Sequence, residues 1–160
     1  QGGNAGDPFT AAPGTEAPEG FAEFRRGAVL ALWLTDPGPP ANRFFAVLGL
    51  PLQLPAEQLF VSLFPHTGEG EGAAAAEPVY EALIRIQTPA ASQARALFTL
   101  INMAASALQT AELADGPAVL AGIFFARPPT LDGRNLNLRT AAMDAAQIAL
   151  LFSLFPVYSD

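Results

Sequence analysis

The tetrapeptides Ala28-Val29-Leu30-Ala31 and Ser62-Leu63-Phe64-Pro65 occur a second time in this chain, in the same order, at residues 118–121 and 153–156. Each copy also carries a proline pair and an arginine between the two tetrapeptides, namely Pro39-Pro40 with Arg43 and Pro128-Pro129 with Arg134. An internal repeat constrains the architecture before single residues are interpreted. This repeat predicts a duplicated unit of two strands and a helix (ββα).

The repeat and the hydrophobic pattern together predict an α+β domain. The two copies span residues 27–65 and 117–156, and a shortened middle unit spans 79–109. Short apolar runs bounded by turn residues are typical of strands, whereas apolar residues at spacings of three and four are typical of helices. The predicted strands are 27–35, 44–54, 79–88, 118–126 and 134–140, and the predicted helices are 56–64, 90–109 and 142–155. We therefore expect a mostly antiparallel sheet of about five strands with three helices packed on it.

Composition limits the class of function. The chain has 160 residues, enough for one domain with a buried core, and 14% of them are charged. The net charge is −7 and every cation is an arginine, which disfavours nucleic-acid binding because phosphate contacts depend on clustered Lys and Arg. Without cysteine there are no disulfides and no zinc–thiolate sites. The longest apolar stretches fall short of the roughly 20 residues that span a bilayer. With 51% hydrophobic residues, the chain is predicted to be a soluble domain with an unusually apolar surface, or with a partner that covers it.

Residues 1–22 differ in composition from the rest, being rich in Gly, Pro, Ala and Glu with little to bury. We predict a flexible tether there, followed by a single domain over residues 23–160. A polar tether ahead of a compact domain is the layout of exported bacterial lipoproteins, in which a lipidated Cys would precede Gln1. An arbitrary start of the chain explains the same beginning equally well. The expected location is a bacterial cell envelope or periplasm.

Few residues suggest catalysis. His66 is the only histidine, and with Glu69 and Glu71 it could in principle surround a metal ion, but the Gly-rich segment around it favours a solvated loop. No serine stands in a Gly-x-Ser-x-Gly motif, and no Gly-x-Gly-x-x-Gly opens a helix. We predict no metal and no cofactor. Arg43 and Arg134 occupy equivalent places in the two copies and are candidates for binding an anion together; the alternative is that each caps its loop or pairs with a nearby Asp.

The two long predicted helices carry the main argument about function. In the helix over 90–109 the polar residues follow spacings of three and four, so they form one narrow stripe that comprises Ser92, Arg95, Thr99, Asn102, Ser106 and Gln109. The helix over 142–155 is apolar almost all round. Both have more apolar circumference than one sheet face needs, and exposed apolar patches usually mark binding sites. The candidate residues for an apolar binding surface are Leu97, Phe98, Ile101, Leu151, Phe152 and Phe155.

We therefore predict a non-enzymatic exported module, with a lipid anchor as one option, that binds an apolar ligand, a lipid, a membrane surface or a protein partner. Two alternatives stand beside this prediction. One is a structural subunit that forms a homo-oligomer through sheet edges or apolar helices. The other is an enzyme whose site is built from carboxylates and arginines on loops, although no motif argues for it.

Overall fold

The computed structural model describes residues 16–38, 55–66, 77–110 and 115–153, together with residues 42, 46 and 53. Within these ranges the chain forms a five-stranded sheet in the order β1-β2-β3-β5-β4, and every neighbouring pair is antiparallel. The strands are β1 (Leu30–Thr35), β2 (Gln58–Pro65), β3 (Tyr80–Gln87), β4 (Thr130–Asp132) and β5 (Asn135–Arg139). The helices are α1 (Phe21–Phe24), α2 (Ala91–Thr110), α3 (Asp115–Phe124) and α4 (Ala145–Ser153). The predicted α+β class with an antiparallel sheet of five strands is confirmed.

One face of the sheet carries the main core. Alternate residues of the central strand β3, namely Ala82, Ile84 and Ile86, point to this face, as the period-two pattern of the sequence predicts. They belong to the same buried cluster as Leu97 and Ile101 of α2. Truncating a buried leucine or isoleucine to alanine typically costs about 2–5 kcal/mol. These two side chains therefore contribute strongly to the docking of α2 on the sheet.

The opposite face of the sheet is covered in part by α1. Gly20 and Gly27 flank this short helix with φ of 82° and 81°, values that glycine adopts without strain, so the chain can turn sharply on both sides of it. The ring of Phe21 meets the ring of Trp33 edge-on at 4.6 Å between centroids. Together with Phe24 and Phe60 they form a small aromatic cluster, and beyond it this face of the sheet is polar.

Residues 56–64, which the sequence predicts as a helix, lie mostly in β2. The spacing of Leu59, Phe60 and Leu63 suits one face of a helix, but a short apolar run is equally compatible with a strand buried on both faces. Leu59 and Leu63 point into the main core, and Phe60 joins the aromatic cluster on the other face. Because the main core covers one face of β2 and the aromatic cluster with α1 covers the other, both faces are buried, and this overrides the helical pattern.

The repeated ββα unit is not shown by the structure. Leu30 and Ala31 of the first tetrapeptide lie in β1, whereas residues 118–121 lie in α3, so the predicted strand over 118–126 is wrong. The residues Asp115-Gly116-Pro117 are typical of a turn between two elements. In the structure they begin α3, because the first turn of a helix tolerates proline. Identical tetrapeptides thus adopt different structures here, since tertiary packing outweighs local propensity.

The other sequence predictions are met in part. β1, β3, β5, α2 and α4 coincide closely with the predicted elements 27–35, 79–88, 134–140, 90–109 and 142–155. β4 lies where the sequence predicts a loop, and the turn that joins it to β5 contains Gly133 with a φ of 58°. Of the predicted strand 44–54, Ala46 and Gln53 are described, and Ala46 is helical. With α1 and α3 included, the described ranges contain four helices rather than three. Residues 1–15 of the predicted tether lie outside the described residues.

Candidate functional site

A buried carboxylate with three basic side chains around it is the most concentrated polar cluster in the described part of the chain. Glu81 has 4% of its surface exposed. Arg139 Nε donates to Glu81 Oε2 at 2.7 Å. Arg127 Nη2 donates to Oε1 at 2.9 Å and Nη1 to Oε2 at 3.4 Å. His66 Nδ1 lies 3.0 Å from Oε1. Both oxygens of the carboxylate are therefore engaged, and we call these four residues the Glu81 cluster.

Four separate parts of the chain bring the Glu81 cluster together. Glu81 stands near the start of β3, and Arg139 is the last residue of β5. The register of these strands pairs Leu83 with Arg139, so Glu81 lies two residues further along the same face of the sheet. Arg127 comes from the segment after α3, and His66 directly follows β2. The cluster therefore depends on the correct pairing of β2, β3 and β5.

The electrostatics of the cluster favour an ionised carboxylate. Burial by itself raises the pKa of Glu81, because water is excluded from the charged form. The hydrogen bonds from Arg139 and Arg127, and then their positive charges, lower the pKa and outweigh the burial. The net result is a Glu81 pKa below its ordinary value, so Glu81 is a fixed negative charge at neutral pH rather than a group that exchanges protons.

The arginines of the cluster are open to solvent although their carboxylate is not. The side chain of Arg139 is 62% exposed and that of Arg127 is 44% exposed. Arg139 contacts Glu81 through Nε, and none of the described residues engages its two terminal amino groups. Two guanidinium charges against one carboxylate leave the cluster with a net positive charge, before any contribution from His66. Its outer surface is suited to meet an anion.

A second polar feature on the same face is an open cleft of about 440 Å3 beside α1. It is lined by Pro18, Glu19, Gly20, Glu57, Gln58, Phe60, Arg85, Gln87, Arg134 and Asn135. Arg134, a predicted anion-binding residue, has Nη1 3.4 Å from Glu57 Oε2. With the Gln87 amide oriented so that its oxygen faces Arg134, that oxygen accepts from Nη2 at 2.7 Å and from Nε at 3.0 Å. The guanidinium of Arg134 is thus already neutralised, and its predicted companion Arg43 lies outside the described residues.

The same cleft bears on the alternative of a carboxylate-based enzyme. Its two acids, Glu19 and Glu57, are both exposed, and Glu57 contacts Arg134. Acid–base catalysis usually depends on carboxylates whose pKa is shifted by burial or by a neighbouring charge in a cleft. Exposed carboxylates in an open cleft give that alternative no specific support.

Ser62 is a buried polar residue of another kind. It lies in β2 opposite Ala31 and Leu83, with none of its surface exposed. No hydrogen-bond partner for its hydroxyl is found in the described part of the chain. A buried hydroxyl without a partner costs about 1–3 kcal/mol of stability. Ser62 is therefore a local weakness beneath the aromatic cluster.

Three of the predicted apolar binding residues can be placed in the structure. Leu97 and Ile101 are buried in the main core, with 2% and 0% of their surface exposed, so they do not form a free surface. Phe98 is half-buried and packs against the same core. Leu151 and Phe152 belong to α4, but their side chains lie outside the described residues, as does the whole of Phe155. The sheet therefore buries most of the apolar surface of α2 that the sequence predicted to be available for binding.

A different set of apolar residues on α2 is exposed. Leu100 has 43% and Met103 has 65% of its surface exposed, and Ala96 and Ala107 are exposed on the same side of the helix. We call these four residues the α2 seam. On the other side of α2, an open groove of about 410 Å3 runs along α3 and includes Leu108 and Phe125. Thus α2 is apolar on both flanks of its buried stripe.

The sequence did not reveal the Glu81 cluster. Glu81 shares one face of β3 with Leu83, Arg85 and Gln87 and alternates with the core residues Ala82, Ile84 and Ile86, which is the ordinary pattern of a strand with one largely polar face. Its partner Arg139 is 58 residues away in the sequence, and the pairing of β3 with β5 is not readable from either strand alone. His66 was weighed as a metal ligand with Glu69 and Glu71, which lie outside the described residues. No group of three metal-binding side chains occurs among the residues that are described.

None of the described helices is long and apolar enough to cross a membrane. No family model matches the chain, and no curated protein and no solved structure resembles it significantly.

Proposed function

We propose that this domain is a non-enzymatic module that binds an apolar partner through the α2 seam. The partner that fits best is a second amphipathic helix, in the simplest case α2 of another copy of this chain. The observation that carries the proposal is the spacing of the exposed residues. Ala96, Leu100, Met103 and Ala107 follow steps of four, three and four, which is the spacing of a coiled-coil contact line.

The side chains of the α2 seam suit close packing of helices. Leu100 and Met103 supply large apolar surfaces in the middle, and the alanines at the two ends allow the backbones to approach. Methionine adapts its shape readily to a partner. Each square ångström of apolar surface removed from water contributes roughly 25 cal/mol. Because the seam is much smaller than the roughly 800 Å2 per partner of a typical stable complex, we expect weak and reversible binding.

Charge favours a helix over an anionic bilayer as the partner. Helices that bind anionic membranes rely on Lys and Arg along their polar face. α2 carries one charged residue, Arg95, and the whole chain has a net charge of −7. A helical partner does not require positive charge at the contact, so it is compatible with this composition.

The proposal is tested by measuring self-association and lipid binding of the same variants. We expect the wild-type chain to show a concentration-dependent increase of mass in sedimentation velocity. The double variant Leu100→Gln/Met103→Gln is expected to stay monomeric, and the matched control Arg95→Gln/Ser106→Ala, on the polar stripe of the same helix, is expected to associate like the wild type. Flotation with phosphatidylcholine vesicles tests the lipid alternative. A wild type that remains monomeric and does not float, or a control that is affected as strongly as the seam variant, would overturn the proposal.

Self-association through the outer edge of β1 is a second candidate. The difference between the two edge strands of the sheet, β1 and β4, favours it. The edge strand β4 has three residues, all exposed, and includes Asp132, which discourages pairing. The edge strand β1 has six residues without a charge, in the sequence LALWLT. Asp36 N donates to Glu57 O, so the even-numbered residues of β1 bond to β2. The backbone groups of Ala31, Trp33 and Thr35 then point outward, and none of the described residues pairs with them.

The position of those outward groups allows a sharp test of the second candidate. Ala31→Pro removes an outward N–H and keeps the ladder to β2, so it is expected to abolish edge pairing without unfolding the domain. Leu32→Pro removes an inward N–H and is the matched control, expected to destabilise the sheet. If Ala31→Pro leaves the mass measured by sedimentation unchanged while the seam variant lowers it, the β1 edge does not contribute to association.

We also propose export of the domain to a bacterial cell envelope. The support is the composition of residues 1–20, which precede α1, have little to bury and are rich in Gly, Pro and Ala. A coding sequence that places a signal peptide and a Cys directly before Gln1 would support a lipid anchor. Recovery of the full-length product in the cytoplasmic fraction of its source cells would contradict export.

A further inference from the structure

We infer that Arg127 and Arg139, held in place by the carboxylate of Glu81, form a binding site for a small oxyanion such as inorganic phosphate. This site lies outside the α2 seam and the β1 edge, so it is independent of the proposed function. Its two guanidinium groups come from different parts of the chain, the segment after α3 and the end of β5. They meet because both donate hydrogen bonds to one buried side chain.

Positive charge is in excess at the Glu81 cluster. In the described part of the chain, Glu81 is the only acid in ion-pair contact with either arginine. Two guanidinium groups share this one carboxylate, so the site keeps at least one positive charge, and His66 adds a further potential donor. The chain as a whole has 15 acidic residues and a net charge of −7. A local positive spot on an acidic surface attracts small anions rather than nucleic acid, because its extent is limited to two cations.

Both arginines keep hydrogen-bond donors that Glu81 does not use. Arg139 uses Nε for Glu81, so its two terminal amino groups are left on the outer side, where the side chain is 62% exposed. These groups form a fork that matches two oxygens of a phosphate, sulfate or carboxylate. Arg127 uses Nη1 and Nη2 for Glu81, so it contributes Nε and its charge. The anion would therefore be bound chiefly by Arg139 and stabilised by Arg127.

The two arginines are also preorganised for an anion. A flexible arginine loses side-chain entropy when it binds an anion, which weakens the interaction. Here the buried Glu81 carboxylate fixes Arg139 at 2.7 Å and Arg127 at 2.9 Å before any ligand arrives. Glu81 thus acts as a positioning residue beneath the anion site.

Arg134 provides an internal control for these arguments. Its guanidinium lies on the same face of the sheet and is 51% exposed, comparable with the two cluster arginines. It contacts the exposed carboxylate of Glu57 and the amide of Gln87, so its charge is balanced one to one and its donors are occupied. Removing Arg134 should therefore leave anion binding at the Glu81 cluster unchanged.

The experiment is a titration of the full chain with inorganic phosphate, followed by amide chemical shifts at constant ionic strength set with sodium chloride. Sulfate and acetate are titrated in parallel to rank tetrahedral against planar oxyanions. We expect saturable shifts at residues around 81, 127 and 139. Arg139→Gln is expected to weaken phosphate binding about tenfold or more, the effect of losing a charge-assisted hydrogen-bonded contact, whereas Arg134→Gln should bind like the wild type.

Two further variants separate binding from folding. Arg139→Lys keeps the charge but loses the fork, so it is expected to bind with intermediate affinity, and it serves as the test if Arg139→Gln does not fold. Arg127→Gln should weaken binding less than Arg139→Gln. Shifts that rise linearly without saturation, shifts equal to those produced by chloride, or an equal loss of affinity in Arg134→Gln would overturn the inference.

Discussion

Two Glu–Arg contacts lie on the same face of the sheet, and they differ mainly in burial. Glu81 binds Arg139 and Arg127 and so links β3 to β5. The side chain of Glu81 is 5% exposed. Glu57 with Arg134 lies beside the cleft, and both side chains are about half exposed, at 49% and 51%. Exposed ion pairs contribute about 0–1 kcal/mol, because water and salt screen them. A buried carboxylate depends on its partners, since without them its desolvation is not compensated. The burial of a carboxylate therefore determines how much its ion pairs contribute to stability.

The largest expected effect comes from Glu81→Gln. The substitution keeps the shape of the side chain but removes the negative charge that accepts hydrogen bonds from both arginines. We expect a loss of about 1.5–3 kcal/mol in the free energy of unfolding, the usual range for hydrogen bonds to charged groups. Urea denaturation at neutral pH measures it. A loss no larger than that of Glu57→Gln would contradict the distinction between the two pairs.

The pH dependence of stability sharpens the same comparison. The folded-state pKa of Glu81 lies below its ordinary value of 4.5, so the unfolded state binds the proton more readily. The stabilisation from Glu81 is therefore complete above the unfolded-state pKa and is lost as the pH falls through the lower folded-state pKa. Urea midpoints measured from neutral to acid pH should fall more steeply for the wild type than for Glu81→Gln. Parallel curves would show that Glu81 is not the group responsible.

Ser62 extends the comparison to a buried polar group without a described partner. Ser62→Ala removes a hydroxyl whose desolvation is not compensated, so we expect the free energy of unfolding to rise by about 1 kcal/mol, the lower end of the cost of a buried hydroxyl without a partner. Thermal and urea unfolding of this variant, beside Ser106→Ala as a control at an exposed serine of α2, provide the measurement. A loss of stability in Ser62→Ala would show that the hydroxyl is hydrogen-bonded after all.

The smallest effect is expected at the exposed pair. Glu57→Gln should change the free energy of unfolding by less than about 0.5 kcal/mol, because the side chains of Glu57 and Arg134 are largely hydrated in either state. Sodium chloride should reduce even this difference, since it screens exposed charges. A change above about 1 kcal/mol would mean that the contact with Gln87 makes the Glu57–Arg134 pair more than an ordinary surface contact.

The sequence predicted those parts of the fold in which local pattern and tertiary environment agree. β3 and β5 alternate between apolar and polar residues because one of their faces packs on α2 and the other is polar, so their pattern was readable. α2 was readable from the polar stripe that includes Thr99, Asn102 and Ser106. These elements needed no knowledge of their neighbours.

The rest of the fold depends on contacts between residues that are distant in sequence, and local sequence patterns do not reveal such contacts. β2 has apolar residues on both faces because the main core covers one face and the aromatic cluster covers the other, and in isolation the same residues match a helix. The tetrapeptide AVLA overlaps a strand at residues 28–31 and lies in a helix at residues 118–121, so identical local sequence did not determine structure. The Glu81 cluster was hidden for the same reason, since its residues become neighbours only through the pairing of β3 with β5.

The pairing of β3 with β5 also has a consequence for synthesis of the chain. The three strands β1, β2 and β3 follow one another in the sequence and leave the ribosome first, whereas β5 follows after two helices. Arg85 and its partner Asn137 are separated by 52 residues. At typical elongation rates of about 5–20 residues per second, the nascent chain carries an incomplete sheet for roughly 3–10 s. During that interval the edge of β3 that later pairs with β5 is open, and an unpaired strand edge is prone to aggregation whatever the stability of the finished domain.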